Sequence, residues 1–71
     1  MEPTPPNIRF RQARERAGLS HDQVGPQSGV PIGSSAVWDI ETHEDELSSL
    51  YSPAEVRKFA ALFGIHPAEF F

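Results

Sequence analysis

The 71-residue chain contains no cysteine. Disulfide bonds and cysteine-ligated zinc, which stabilise many small domains, are therefore excluded. No apolar run approaches the roughly 20 residues that a membrane-spanning helix requires. A chain of this length forms one domain with a limited core. It must therefore fold by packing its helices together or by adding a partner.

No secretory signal is expected at the N-terminus. Residues 1–6 (MEPTPP) contain one acid, no base and three prolines. They have neither the basic nor the apolar region of a secretory signal, which predicts a cytoplasmic protein. Because proline restricts the backbone and removes a hydrogen-bond donor, we expect residues 1–6 to form a disordered or extended tail. A single domain is then expected over residues 7–71.

Positive charge is absent from the middle of the chain, and the formal net charge is −4. Four of the six basic residues lie between Arg9 and Arg16, and the other two are Arg57 and Lys58. Residues 20–47 contain six acids and neither lysine nor arginine. Binding to nucleic acid depends on basic side chains that displace counterions from phosphates. This charge distribution therefore weighs against nonspecific binding to nucleic acid.

Helix signals predict an all-α domain of five short helices, because no strand pattern occurs. The first helix is predicted at residues 8–17, with Asn7 as its N-cap. The second begins at a capping box formed by Ser20 and Gln23. Pro26 falls inside this second helix, which is therefore predicted to be either short or kinked.

Three more helices follow. Ser34 or Ser35 is predicted to cap the third. The segment Ser-Pro-Ala-Glu at residues 52–55 opens the fourth, with Ser at the N-cap, Pro at the first position and Glu at the third. A short last helix ends in two phenylalanines that we expect to cover the core, Phe70 and Phe71.

Several short patterns between residues 8 and 71 together resemble the Xre/Cro-type, or lambda repressor-like, helix-turn-helix family. They are an arginine four residues before Gly18-Leu19-Ser20, the pair Ile40-Glu41, and Phe63-Gly64-Ile65 before the last helix. The resemblance implies a helix-turn-helix domain that binds double-stranded DNA and regulates transcription. Residues 18–41 form a segment two residues longer than is usual in the family, a departure that we place in the turn before the third helix.

The resemblance also implies roles for individual residues. Arg14 and Glu41 would form a structural ion pair between the first and third helices, and the alternative is two unrelated surface charges. Side chains at the DNA-facing positions would be His21, Ser34, Ser35, Trp38 and Thr42. None of these is an arginine, lysine, asparagine or glutamine, the usual readers of base edges. Weak or altered DNA binding is therefore expected.

The acids around the third helix favour a second function. They would repel a duplex, although an acidic run is usually only a solvated face. If Val37 and Ile40 fill the core side of the helix, Trp38 is exposed; if the longer turn tilts the helix, Trp38 is buried. Exposed tryptophan is typical of protein-binding hot spots. The alternative is thus a protein-interaction module for a basic partner, with a surface formed by Trp38, Asp39, Glu44, Asp45 and Glu46.

No pattern indicates catalysis, a cofactor or a metal. Ser20, His21 and Asp22 are adjacent in the chain and cannot adopt the geometry of a catalytic triad. The three histidines do not have metal-ligand spacing, and no glycine-rich phosphate loop is present. We therefore expect a protein that is not an enzyme. The resemblance allows a homodimer, because many relatives of this type dimerise through the last helix. The arginines of residues 9–16 would be a solvated face or would meet an acidic patch on another molecule.

Overall fold

All regular structure between residues 4 and 71, the part of the chain that the computed structural model describes, is helical. The expected all-α class is confirmed. The helices are α1 (Pro6–Arg16), α2 (His21–Ser28), α3 (Ser34–Thr42), α4 (Glu46–Leu50), α5 (Pro53–Phe63) and a 3₁₀ helix (Pro67–Phe70). None of these helices has the length and apolar character needed to cross a membrane.

The first helix begins earlier than predicted. Pro6 opens α1 and Pro5 is its N-cap, so Pro6 does not belong to a tail. Proline suits this position, because the first amide of a helix has no partner within the helix. Asn7 was wrongly predicted as the N-cap: it lies inside α1, is buried, and donates from Nδ2 to the carbonyl oxygen of Glu41 at 3.0 Å. Residues 1–3 of the predicted tail lie outside the described residues.

The second helix continues through Pro26 as far as Ser28, which rules out one of the two alternatives, a short helix that ends before Pro26. The backbone amide of Ser20 donates to Oε1 of Gln23 at 2.8 Å, as expected for the capping box. The turn to α3 then folds back against α2. A Cβ atom at Gly25 would collide with the backbone carbonyl of Ile32, so only glycine allows this close approach.

The third and fourth helices differ from the sequence predictions. Gly33, and not Ser34 or Ser35, is the N-cap of α3. Residues 46–50 form α4, a single short helix that was not predicted. Its one buried side chain is Leu47, and one apolar contact in five residues produces no helical periodicity. Tertiary packing of Leu47 therefore decides that this acidic stretch contains a helix.

The fifth helix has the predicted capping box. Ser52 Oγ accepts a hydrogen bond from the amide of Glu55 at 3.3 Å, and the amide of Ser52 donates to Glu55 Oε1 at 2.9 Å. Gly64 ends the helix in the left-handed conformation, with φ of 71°. The last predicted helix is a single 3₁₀ turn, in which His66 Nδ1 accepts from the amide of Ala68 at 3.1 Å.

The core joins two groups of buried side chains. Phe10 of α1 lies at the centre of an aromatic group, with its ring centroid 5.3 Å from Phe59, 5.0 Å from Phe63 and 5.7 Å from Phe70. The contacts with Phe59 and Phe63 are edge-to-face, an arrangement that stabilises a core beyond the burial of area, whereas the ring of Phe70 is tilted by 40°. Phe71 is 64% exposed, so only one of the two terminal phenylalanines covers the core. The second group comes from α2, α3 and the turn between them: Val24, Val30, Val37 and Ile40.

Candidate functional site on α3

A buried ion pair attaches α3 to α1. Arg14 donates from Nε to Oε2 of Glu41 at 2.6 Å and from Nη2 to Oε1 at 3.2 Å. A third donor of the same guanidinium, Nη1, bonds the carbonyl oxygen of Leu19 at 2.7 Å. Glu41 is only 5% exposed. Because a two-point contact between planar groups restricts rotation, this pair sets the orientation of α3 against α1.

His21 also faces Glu41. Its Nε2 atom lies 3.2 Å from Glu41 Oε1, so the carboxylate has neighbours from both α1 and α2. The resemblance implied a DNA contact for His21, whereas one ring nitrogen of this half-buried side chain already has a partner within the domain. Glu41 is likewise one of the six acids of residues 20–47, but its charge is compensated internally.

The remaining candidate residues lie on one exposed face of α3. Ser34, Trp38 and Thr42 are spaced four residues apart, so they follow one another along the helix surface, with Ser35 beside them. Trp38 is 55% exposed, which decides between the two alternatives for its side chain in favour of exposure. Thr42 donates from Oγ1 to the carbonyl oxygen of Trp38 at 3.0 Å, so its hydroxyl is used within α3.

An open depression lies where α3 ends and α4 begins. Its lining is mostly polar and acidic: Thr42, His43, Glu44, Asp45, Glu46, Ser49 and Leu50. Leu50 is 64% exposed. The exposure of Leu50 was not predicted, because its spacing of three from buried Leu47 is typical of two side chains on the same face. The helix ends at Leu50 itself, which allows the two side chains to separate.

Tyr51 lies beside the same acids and was not singled out by the sequence analysis. Burial raises the pKa of its phenol, and the negative charges of Glu46, Glu55 and Asp39 raise it further. The ring packs edge-on against Phe59, with centroids 5.7 Å apart. Carboxylates from α3, α4 and α5 therefore converge near one phenol, which indicates a negative potential on this side of the domain.

The arginines of α1 do not form one uniform solvated face. Arg14 is partly buried and paired with Glu41. Arg9 donates from Nη1 to the carbonyl oxygen of Glu69 at 3.2 Å, which joins α1 to the 3₁₀ helix. Nε of Arg11 lies 3.8 Å from Oε1 of Glu15 in an exposed ion pair. The expectation of a simple solvated face was therefore wrong for Arg14.

Within residues 4–71, no group of three or more histidine, aspartate or glutamate side chains is arranged to hold a metal ion. Comparison with known proteins found no match for the chain among protein-family models, curated proteins or solved structures.

Proposed function

We propose that this chain is a helix-turn-helix-type domain whose third helix binds another protein. The helix-turn-helix interpretation is supported by the packing of α2 against α3 across a short turn. It is also supported by the ion pair between Arg14 and Glu41, at the two positions that the resemblance to the Xre/Cro family singled out. Fold alone does not establish function, so the proposed binding of a protein depends on the surface of α3.

The exposure of Trp38 is the observation that carries the proposal. An indole that is 55% exposed leaves a large apolar area in water. Covering this area would contribute about 25 cal/mol for each Å² removed from water. Tryptophan is enriched at the centres of protein interfaces for this reason. The side chain also lies midway along the exposed face of α3, where a partner can reach it.

The charges near Trp38 favour a protein over a duplex. Asp39 adjoins Trp38 in the chain, and residues 44–46 add three more acids beyond the end of α3. A duplex presents about one negative charge per 1.7 Å, so this region would be repelled at close approach. A protein partner with basic side chains would be attracted instead.

Binding of DNA is the second candidate function, and one observation favours it. Ser34 and Ser35 are exposed in the first turn of α3. Amide groups at a helix N-terminus and serine hydroxyls can both bind phosphate. This arrangement supports weak or altered DNA binding by a transcriptional regulator, with the rest of α3 contributing little.

The proposal is tested by affinity capture. The chain, immobilised and cross-linked to proteins in an extract of the cells that produce it, is compared with W38A and with F71A. Phe71 is the matched control, since it is also a large exposed apolar side chain. We expect a captured protein that is lost with W38A and retained with F71A. Capture that is the same for all three chains, or absent, would refute the proposal.

The DNA candidate is tested by fluorescence anisotropy of a labelled random-sequence duplex at low and moderate salt. Binding that weakens steeply with salt and is reduced in the double variant S34A/S35A supports phosphate contacts at the start of α3. The variant D39K should then bind more tightly, with a steeper dependence on salt. Absence of binding at low salt would eliminate this candidate.

A further inference from the structure

Two exposed apolar side chains, Leu50 in the lining of the depression and Trp38 outside it, belong to the two helices that meet there. Trp38 lies one helical turn before Thr42, which donates to its carbonyl oxygen at 3.0 Å and lines the depression. Leu50 lines the depression from α4. These are two of the three large apolar side chains that are strongly exposed among the described residues; the third is Phe71. We name Trp38, Thr42, Glu44, Asp45, Glu46 and Leu50 the α3–α4 surface.

The acids of this surface are not compensated within the described part of the chain. Among residues 4–71, the carboxylates that form ion pairs are those of Glu15 and Glu41. The acids at 44–46 have no lysine or arginine near them in the chain, because residues 18–55 contain none. The raised pKa of Tyr51, to which Glu46 contributes, agrees with a negative potential here.

These observations limit the classes of molecule that can bind the α3–α4 surface. A duplex would be repelled by the acids at 44–46. A second copy of the chain is poorly suited, because its lysine and arginines lie on α1 and α5, whose apolar side chains Phe10, Phe59 and Phe63 are buried in its own core. Exposed apolar side chains on α3 and α4, together with an acidic depression at the junction of the two helices, match a helix that carries an apolar stripe flanked by basic side chains.

We propose that the α3–α4 surface binds a basic amphipathic helix of another protein, whose apolar stripe contacts Trp38 and Leu50 and whose lysines or arginines face Glu44, Asp45 and Glu46. This inference rests on the proposed function and adds the class of partner. The apolar contacts supply affinity, and the carboxylates accelerate encounter and select against acidic helices.

The test uses a synthetic peptide about four helical turns long, with a leucine stripe and lysine elsewhere, and without tryptophan or tyrosine. Trp38 is the only tryptophan of the chain, so its emission reports directly on the surface. We expect a blue shift and protection from acrylamide quenching on titration. Two control peptides should produce neither effect: one has glutamate in place of lysine, and the other has the same composition in an order without a helical stripe.

Two double variants distinguish binding at this surface from general electrostatic attraction to an acidic protein. E44Q/D45N removes two charges at the depression, and D22N/E69Q removes two exposed acids elsewhere. We expect the first pair to weaken binding of the lysine peptide about tenfold and the second to change it less than about twofold. L50A should weaken binding about fivefold, whereas F71A, at equal exposure, should not.

The proposal is overturned if D22N/E69Q weakens binding as much as E44Q/D45N, or if either control peptide binds as well as the lysine peptide. It is also overturned if no peptide binds. If affinity capture still yields a protein that W38A loses, only the class of partner is wrong and the proposed function stands. If W38A loses no captured protein, the proposed function itself fails.

Discussion

Glu41 and Asp39 are two residues apart on the same helix, and their surroundings are opposite. Glu41 is 5% exposed and accepts two hydrogen bonds from Arg14, with His21 at a third side. Asp39 is half-buried beside Trp38, and its charge raises the pKa of Tyr51. The inner carboxylate, that of Glu41, holds α3 in place, whereas the outer one, that of Asp39, contributes to the negative electrostatic potential at the surface. Acidity along the sequence therefore does not measure the charge that the surface presents.

Among the charged side chains, the largest expected effect on stability is the loss of the inner carboxylate. E41Q leaves the Arg14 guanidinium, with only 11% of its side chain exposed, without its counter-charge. We expect a decrease of about 3 kcal/mol in the free energy of unfolding, measured by urea denaturation. D39N is the matched control and should cost less than about 0.5 kcal/mol. Equal losses in the two variants would remove the distinction between the inner and outer carboxylates.

The next effect concerns the turn that carries α3. A methyl group at Gly25 must displace the carbonyl of Ile32, so G25A should destabilise the domain by about 2 kcal/mol. Gly33 is the control, because a Cβ atom there meets nothing within 4 Å and its φ is −100°. Thermal unfolding should show a clear decrease in Tm for G25A and a smaller one for G33A, since alanine is a poorer N-cap than glycine. A stable G25A variant would mean that the turn can move away from α2.

A smaller effect is expected on the outer face. W38A should change the free energy of unfolding by no more than about 0.5 kcal/mol, because surface substitutions away from special features rarely exceed that. I40A removes a fully buried side chain of the same helix and should cost about 2 to 5 kcal/mol. Urea denaturation of the two variants compares the contributions of the outer and inner faces of α3 to the free energy of unfolding. Unfolding of W38A would show that the indole contributes to the core.

The smallest effect on stability concerns Tyr51, the only tyrosine of the chain. Its pKa is raised above the ordinary value of 10.0, so the folded domain favours the neutral phenol. The stability that this contributes is present below about pH 10 and is lost as pH rises through the folded-state pKa. Ultraviolet absorbance of the phenolate should place the midpoint above 10 in the native domain.

Two variants identify the cause of this pKa shift. E46Q removes one of the negative charges beside the phenol and should lower the midpoint. E15Q removes an exposed acid that is paired with Arg11 and should leave the midpoint unchanged. A midpoint that does not respond to E46Q would exclude Glu46 as a cause and leave burial of the phenol, Glu55 and Asp39.

Helix ends were the most predictable part of the fold, because their signals act over three or four residues. Ser20 with Gln23 and Ser52 with Glu55 form the hydrogen bonds expected from their spacing. A local signal predicted the wrong helix end where a side chain makes a contact with a residue far away in the chain. Asn7 resembles an N-cap, but its amide bonds the backbone of Glu41, 34 residues away, from within α1.

The candidate site was predictable in its residue types and less so in its arrangement. Spacing placed Ser34, Ser35, Trp38 and Thr42 on one helix, and the structure places them on one exposed face. The spacing could not indicate that His21 turns towards Glu41, because the two residues are 20 positions apart and lie in different helices. The exposure of Leu50 was not predicted either, because its spacing of three from buried Leu47 is typical of a shared helix face, and α4 ends at Leu50.

The order of amino acids is sufficient to specify an all-helical chain with its main caps and a central stretch without basic residues, because periodicity, capping and charge are local properties. Only the tertiary structure decided which charges are used internally and which side chains remain outside. Arg14 and Glu41 meet across 27 residues, and Trp38 is exposed because Val37 and Ile40 already occupy the interior. These outcomes depend on competition for a small core between distant segments, which local sequence patterns do not record.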